Sequence, residues 1–235
     1  MATYAFTDIH GNYELWKAIQ NYAKEEDTIF FLGDALDRGK DGIKIMQEMF
    51  NDKRVKYIIG NHEDMFLDFT NDLNKSFRED MQFILHNGCL DSLKKFNELS
   101  KDEQEILREN LKDNTYLEYT YINKKGQKIY LSHAGVSFNK MFCATANDLL
   151  TDRKHIKEEV FLIPENLEDY IIVHGHTPVQ FIKGMSVNSE IYYYCNNKKI
   201  DLDIATFTTH KIALLDLDTL EPIYFEGKEK QFYGC

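Results

Sequence analysis

Short apolar runs alternate with amphipathic stretches along the N-terminal part of the chain. Tyr4-Ala5-Phe6-Thr7, Thr28-Ile29-Phe30-Phe31-Leu32 and Val55-Lys56-Tyr57-Ile58-Ile59 are rich in β-branched and aromatic residues, and each runs into Asp or Gly. Between them the apolar positions recur at helical spacing. Leu15, Trp16, Ile19, Tyr22 and Ala23 share one face behind Asn12 as N-cap, and Ile43, Met46, Met49 and Phe50 share another behind Asp41. Strand-helix-strand-helix-strand predicts a parallel sheet, in which ligands sit beyond the carboxyl ends of the strands.

The polar residues at those strand ends carry the chemistry. Thr7-Asp8-Ile9-His10-Gly11 follows the first strand, Gly33-Asp34-Ala35-Leu36-Asp37-Arg38-Gly39 the second and Gly60-Asn61-His62-Glu63 the third. Two later strands complete the pattern. Lys128-Ile129-Tyr130-Leu131 leads into Ser132-His133-Ala134-Gly135, and Tyr170-Ile171-Ile172-Val173 leads into His174-Gly175-His176-Thr177-Pro178. Oxygen and imidazole donors without thiolate suit manganese, iron or zinc. Taken singly, Asp8 or Asp34 reads as a turn former or helix cap and a lone His as a structural residue. Five strand ends carrying this set together point to a metal site that holds phosphate.

In this order the motifs resemble those of the calcineurin-like metallophosphoesterases of the phosphoprotein-phosphatase type: D-x-H-G, G-D-x-x-D-R-G, G-N-H-E, a strand-end His and G-H-T. The resemblance implies an α/β (α+β) fold, a β-sandwich of two mixed sheets flanked by helices with a helical insertion. It implies two divalent metal ions, manganese first and iron or zinc as alternatives. Asp8 and His10 would bind one, Asn61, His133 and His176 the other, and Asp34 would bridge them. His62, held by Asp37, would protonate the leaving group, and Arg38 would hold the phosphate. Leu149-Leu150-Thr151-Asp152-Arg153 matches a family segment with a second phosphate-binding arginine, Arg153, although Thr151 stands where an aromatic is common. The implied reaction is hydrolysis of phosphate monoesters, phosphoserine or phosphothreonine in proteins first, by direct attack of a hydroxide bridging the metals. The alternative is hydrolysis of dinucleoside polyphosphates such as diadenosine tetraphosphate, and a silent phosphate-binding module ranks third. A nuclease reading is disfavoured because Pro178 occupies the place of its second His.

His174 lies two residues before His176, and the family pattern uses the position of His176, so His174 reads as a supporting residue. Glu63 reads as a support that follows the site into a helix. His86, His155 and His210 match no motif. Asn87-Gly88 resembles a family Asn-Gly-Gly segment at the active-site mouth, with Cys89 in place of the second Gly.

Composition adds little to this reading. The chain has 235 residues, 43% of them hydrophobic, enough for one domain over residues 1–235 with a sizeable core. A formal charge of −11 disfavours nucleic acid and anionic membrane as partners, so an anionic phosphorylated substrate must be drawn in by the metals and arginines. The four cysteines form no metal or disulfide spacing and read as reduced thiols in the cytoplasm. The first strand leaves no room for a leader, no apolar run reaches membrane-spanning length, and Cys235 makes no prenylation box. Oligomeric state is not legible.

Residues 64–113 read as a charged, helix-rich insertion. Leu90, Leu93, Phe96 and Leu99 mark one helix, and Ser100-Lys101-Asp102-Glu103 opens another that ends near Leu111. This insertion and the loop from Val136 to Asn147 would shape the cleft. The tail reads as four strands, 191–195, 199–203, 212–217 and 223–225, with turns at Asn196-Asn197 and Asp218-Thr219. Together they are expected to form a second sheet on the first.

Overall fold

The structure, a computed structural model, describes residues 1–71, 87–157, 164–182 and 189–228. The alternating pattern at the N-terminus gives β1 (Thr3–Phe6), α1 (Tyr13–Tyr22), β2 (Thr28–Phe31), α2 (Gly42–Asn51) and β3 (Val55–Tyr57). Asn12 caps α1 by accepting from the Leu15 amide at 3.2 Å, whereas Asp41 precedes α2 without a side-chain cap bond. Helix α3 (Asn61–Asn71) starts inside the third motif. Helices α4 (Leu90–Glu98) and α5 (Lys101–Asp113) follow, and Ser100 and Glu103 form the expected reciprocal cap. Then come β4 (Glu118–Ile122), β5 (Lys128–Ser132), α6 (Ala146–Thr151), β6 (Tyr170–His174), β7 (Tyr192–Tyr194), β8 (Lys199–Asp201), a one-turn helix α7 (Thr206–Thr209), β9 (Lys211–Asp216) and β10 (Pro222–Glu226). No helix among the described residues is long and apolar enough to cross a membrane.

The strands form two mixed five-stranded sheets, ordered β10-β9-β1-β2-β3 and β4-β5-β6-β8-β7. In the first, β1 pairs in parallel with β2 and β2 with β3, while β9 and β10 add antiparallel. In the second, β5, β6 and β8 run parallel between antiparallel edges. Period-two alternation sorts the core. On β2, Ile29 and Phe31 join Phe6, Trp16, Ile43 and Met46 under the helices. Phe30 and Leu32 face the other way, onto Ile129, Leu131, Ile171, Val173 and Ile200 of the second sheet.

The tail departs from expectation. Its strands do not make one sheet. β7 and β8 complete the sheet built on β5 and β6, while β9 and β10 return to the first sheet beside β1. The chain turns between the sheets at residues 205–210, where Ala205 and His210 both adopt left-handed backbone angles. Beyond that turn Ile212 and Leu214 pack under the helices, and Ala213 and Leu215 face the inter-sheet core. Strand β4 was not expected either. Glu118-Tyr119-Thr120-Tyr121-Ile122 is an edge strand that packs only Tyr119 and Tyr121 on the inter-sheet core. The five motif-bearing strands are therefore divided between two sheets, and their ends meet at the seam.

Trp16 anchors the helix layer. It is fully buried, stacks on Phe6 at 6.1 Å and donates its indole N–H to Glu48 Oε2 at 3.0 Å. Trp16→Ala is expected to cost about 3–5 kcal/mol of stability in urea unfolding. A loss below about 1 kcal/mol would contradict this packing.

Candidate metal centre

The motif loops are held by one another before they hold anything else. The Asp8 amide donates to Gly33 O at 3.0 Å, His10 N to Asp34 O at 3.0 Å and Gly11 N to Ala35 O at 2.8 Å, tying the first loop to the second. Glu63 ties the second loop to the third. Its fully buried carboxylate accepts four amides: Ala35 at 2.8 Å and Leu36 at 3.1 Å on Oε1, Asp34 at 2.8 Å and Gly60 at 3.0 Å on Oε2. Burial pushes its carboxyl up to about 7, while four converging N–H groups favour the anion. The seam closes through the His176 amide, which donates to Asp8 Oδ2 at 3.0 Å. Gly175 permits that approach, since a Cβ there would lie 2.3 Å from Asp8 Oδ2. Six of the candidate residues, Asp8, His10, Asp34, Asp37, Arg38 and His176, adopt positive φ. Such backbone strain in non-glycine residues is sustained where tight packing over-determines it.

Among the described residues two groups of ligating atoms result, each within 4.8 Å: His10, Asp34 and His62, and Asp34, His133 and His176. Asp34 belongs to both. His10 and His133 each place Nδ1 on a backbone carbonyl, Leu36 O at 2.8 Å and Leu32 O at 2.7 Å. Nδ1 therefore carries the proton, and the Nε2 lone pair points into the centre. His10 Nε2 lies 3.8 Å from both Asp8 Oδ1 and Asp34 Oδ2. His133 Nε2 lies 3.5 Å from Asp34 Oδ1. Asn61 Oδ1 lies 3.0 Å from His133 Nε2 and 2.8 Å from His176 Nδ1.

Inward lone pairs facing buried carboxylates fit divalent cations. The oxygen and imidazole donors suit manganese, iron or zinc. Two guanidinium groups lie against the same set of rings: Arg38 Nη1 is 3.0 Å from His10 Nε2, and Arg153 Nε is 3.3 Å from His176 Nε2, the nitrogen opposite the one that meets Asn61. Burial pulls His10 well below the usual imidazole value, helped by Arg38, and burial with His133 brings His176 down to about 3, leaving both neutral. Burial opposes the Asp34 charge, but neighbouring imidazoles, His133 and His62 first, outweigh it and hold its carboxyl low. Burial and the charge of Asp34 raise Asp8.

His62 differs from the other rings. Its Nδ1 donates to Asp37 Oδ2 at 2.6 Å, and its Nε2 is 3.8 Å from Asp34 Oδ2 and 3.4 Å from Arg38 Nη2. Burial favours its neutral form, but Asp34 and Asp37 raise it.

The sequence profile of the calcineurin-like phosphoesterases matches residues 1–213. The chain belongs to that family. A symmetrical bis(5'-nucleosyl)-tetraphosphatase of Buchnera aphidicola (strain 5A) is 30% identical over 145 residues, 58% of this chain and 45% of the relative. One named the same from Wigglesworthia glossinidia brevipalpis is 34% identical over 67 residues, 27% of this chain and 25% of the relative. The chain thus spans less than half the length of the curated relatives it matches. Among solved structures, a putative diadenosine tetraphosphatase superposes with a TM-score of 0.62 at 14% identity, covering 97% of this chain and 94% of that one. A Saccharomyces cerevisiae protein serine/threonine phosphatase gives 0.59 at 11% identity, covering 97% and 81%. Those two superpositions are likenesses of fold.

The structure brings all ten candidate residues to the seam. It places His174 and His155 behind it in a buried network, with His174 Nε2 at 2.7 Å from the Tyr194 hydroxyl and His155 Nε2 at 2.6 Å from Ala134 O. His210 lies at the end of α7, and His86 falls outside the described residues. Three further residues, Phe207, Cys89 and Ser92, touch the site. Phe207, half-buried, lies under the Arg38 guanidinium at 4.5 Å and meets the His10 ring edge-on at 5.9 Å. The Cys89 thiol donates to Asp37 Oδ2 at 3.2 Å, and Ser92 Oγ accepts the Asp37 amide at 2.9 Å.

Glu63→Gln keeps the shape but turns an NH2 toward two backbone N–H donors. It is expected to cost about 3 kcal/mol in chemical unfolding, and to weaken Mn²⁺ binding in calorimetry. Stability and metal affinity equal to wild type would contradict the role given to Glu63.

Proposed function

We propose that this phosphoesterase is a dinuclear-metal hydrolase whose substrate is a dinucleoside polyphosphate. The observation that carries the reaction class is Asp34, a carboxylate common to two ligand groups. Asp8, His10 and Asp34 would hold one ion, and Asp34, Asn61, His133 and His176 the other. Two such ions supply charge neutralisation at the phosphoryl group and lower the pKa of water toward neutrality.

The chain's own groups do the rest. Arg38 turns its fork to the phosphoryl oxygens, and Arg153 reaches them from the opposite side. Their N–H donors meet charge as it builds on those oxygens. His62 delivers a proton from Nε2 to the leaving oxygen, and Asp37 holds the ring at Nδ1 and sustains its protonated form. Cleavage of a phosphoanhydride bond in a dinucleoside polyphosphate expels a nucleoside phosphate through a phosphate oxygen, which asks less of that proton than an alkoxide does.

The motif set alone ranks phosphoserine and phosphothreonine ahead. The names of the curated relatives move dinucleoside polyphosphates in front. The half-buried Phe207 ring beside Arg38 agrees, since it offers a planar surface next to the phosphate site.

The test is a substrate panel on protein stripped by chelation and reloaded with Mn²⁺. Stripped protein should turn nothing over. Reloaded protein should prefer diadenosine tetraphosphate to a phosphothreonine peptide in kcat/KM by about tenfold or more. The reverse preference would return the phosphoprotein reading. His62→Asn should keep its metal and lose about 10²-fold on an alkyl phosphate, but far less on nitrophenyl phosphate. Equal losses on the two esters would remove His62 as the proton donor.

A further inference from the structure

Three bonds link residues 87–92 to the turn that carries Asp37 and Arg38. The Arg38 amide donates to Gly88 O at 3.1 Å, the Asp37 amide to Ser92 Oγ at 2.9 Å, and the Cys89 thiol to Asp37 Oδ2 at 3.2 Å. Asp37 and Arg38 both have positive φ, so this turn needs outside support. Gly88 runs close to it, at φ +72°, and a Cβ on Gly88 would lie 3.1 Å from Arg38 N. The oxygen that receives the thiol is the same one that receives His62 Nδ1 at 2.6 Å. Asp37 Oδ2 thus accepts two donors from different directions, which fixes the carboxylate plane more firmly than one would.

We propose that Cys89 is a positioning residue for the proton donor: its thiol orients the Asp37 carboxylate, and through it aims the His62 ring at the leaving group. This rests on the role of His62 given under Proposed function. Burial and the Asp37 charge push the Cys89 thiol well above its ordinary value, so it stays protonated and can donate. A thiolate there would repel Asp37 and lose the bond. The competing account is simple packing, because Met65, Phe66, Phe69 and Leu93 also surround this spot. The two accounts separate on chemistry, since Ala removes both the donor and the volume of the sulfur, whereas Ser restores a donor without restoring the apolar bulk.

Two readouts decide. The first is the Raman S–H stretch, assigned by the difference between wild type and Cys89→Ser. It should fall at the low wavenumber of a strong donor and rise in Asp37→Asn. A band at the position of a free thiol would overturn the proposal. The second is the kcat/KM ratio of nitrophenyl phosphate to an alkyl phosphate on Mn²⁺-loaded protein. Cys89→Ala should raise that ratio about fivefold, the rate equivalent of one net hydrogen bond, and Cys89→Ser should return it to the wild-type value. If Ala and Ser raise it alike, packing is the cause and the proposal fails. If His62→Asn raises the ratio but Cys89→Ala does not, the positioning role alone fails. If neither raises it, the proton-donor reading fails and the positioning role falls with it.

Discussion

A single buried carboxylate, Asp34, organises this molecule. It sits at the end of a central strand, 2% exposed, in a left-handed backbone conformation. Its amide is held by Glu63, Oδ1 accepts the His62 amide at 3.1 Å and faces His133 from the second sheet, and Oδ2 faces His10 and His62 from the first. Removing a carboxylate from water costs several kcal/mol unless opposite charge and hydrogen bonds answer it. Here both do. His10 and His62 come from the first sheet and His133 and His176 from the second, so the electrostatics of one group oblige the two sheets to meet at their strand ends.

That convergence also resolves an apparent conflict of charge. The chain carries a net charge of −11, yet the proposed substrate is an anion. At the seam two arginines supply local positive charge, to which divalent ions would add. Arg38 lies on the inward lone pair of His10, Arg153 lies on Nε2 of His176, and Phe207 supports the Arg38 guanidinium from below. Attraction is local and short-ranged, and the acidic exterior discourages extended polyanions.

Much of this was readable in the amino-acid order, for a physical reason. Each motif is a contiguous stretch at a strand end, and strand ends are visible as apolar runs meeting Asp or Gly. The Asn12 cap, the Ser100–Glu103 box and the helical faces are likewise local. What sequence reasoning missed is non-local. Which sheet β9 and β10 join depends on the backbone turn at Ala205 and His210, and neither residue is a turn signal in the way Gly is. Strand β4 alternates polar and aromatic residues but contributes only two of them to the core. Phe207 lies in the one-turn helix α7, outside every motif, and Cys89 was visible only as the residue in place of the second Gly of a family-like segment, so neither contact could be foreseen. Glu63 was legible as a support, but its four amide bonds became visible only once the loops were folded together.

The most direct test of the central claim is metal stoichiometry by calorimetry on chelator-stripped protein titrated with Mn²⁺. Wild type should bind two ions per chain, and Asp34→Asn should lose one outright and bind the other about a hundredfold more weakly. Two ions bound equally well without the Asp34 carboxylate, or none bound by wild type, would contradict it.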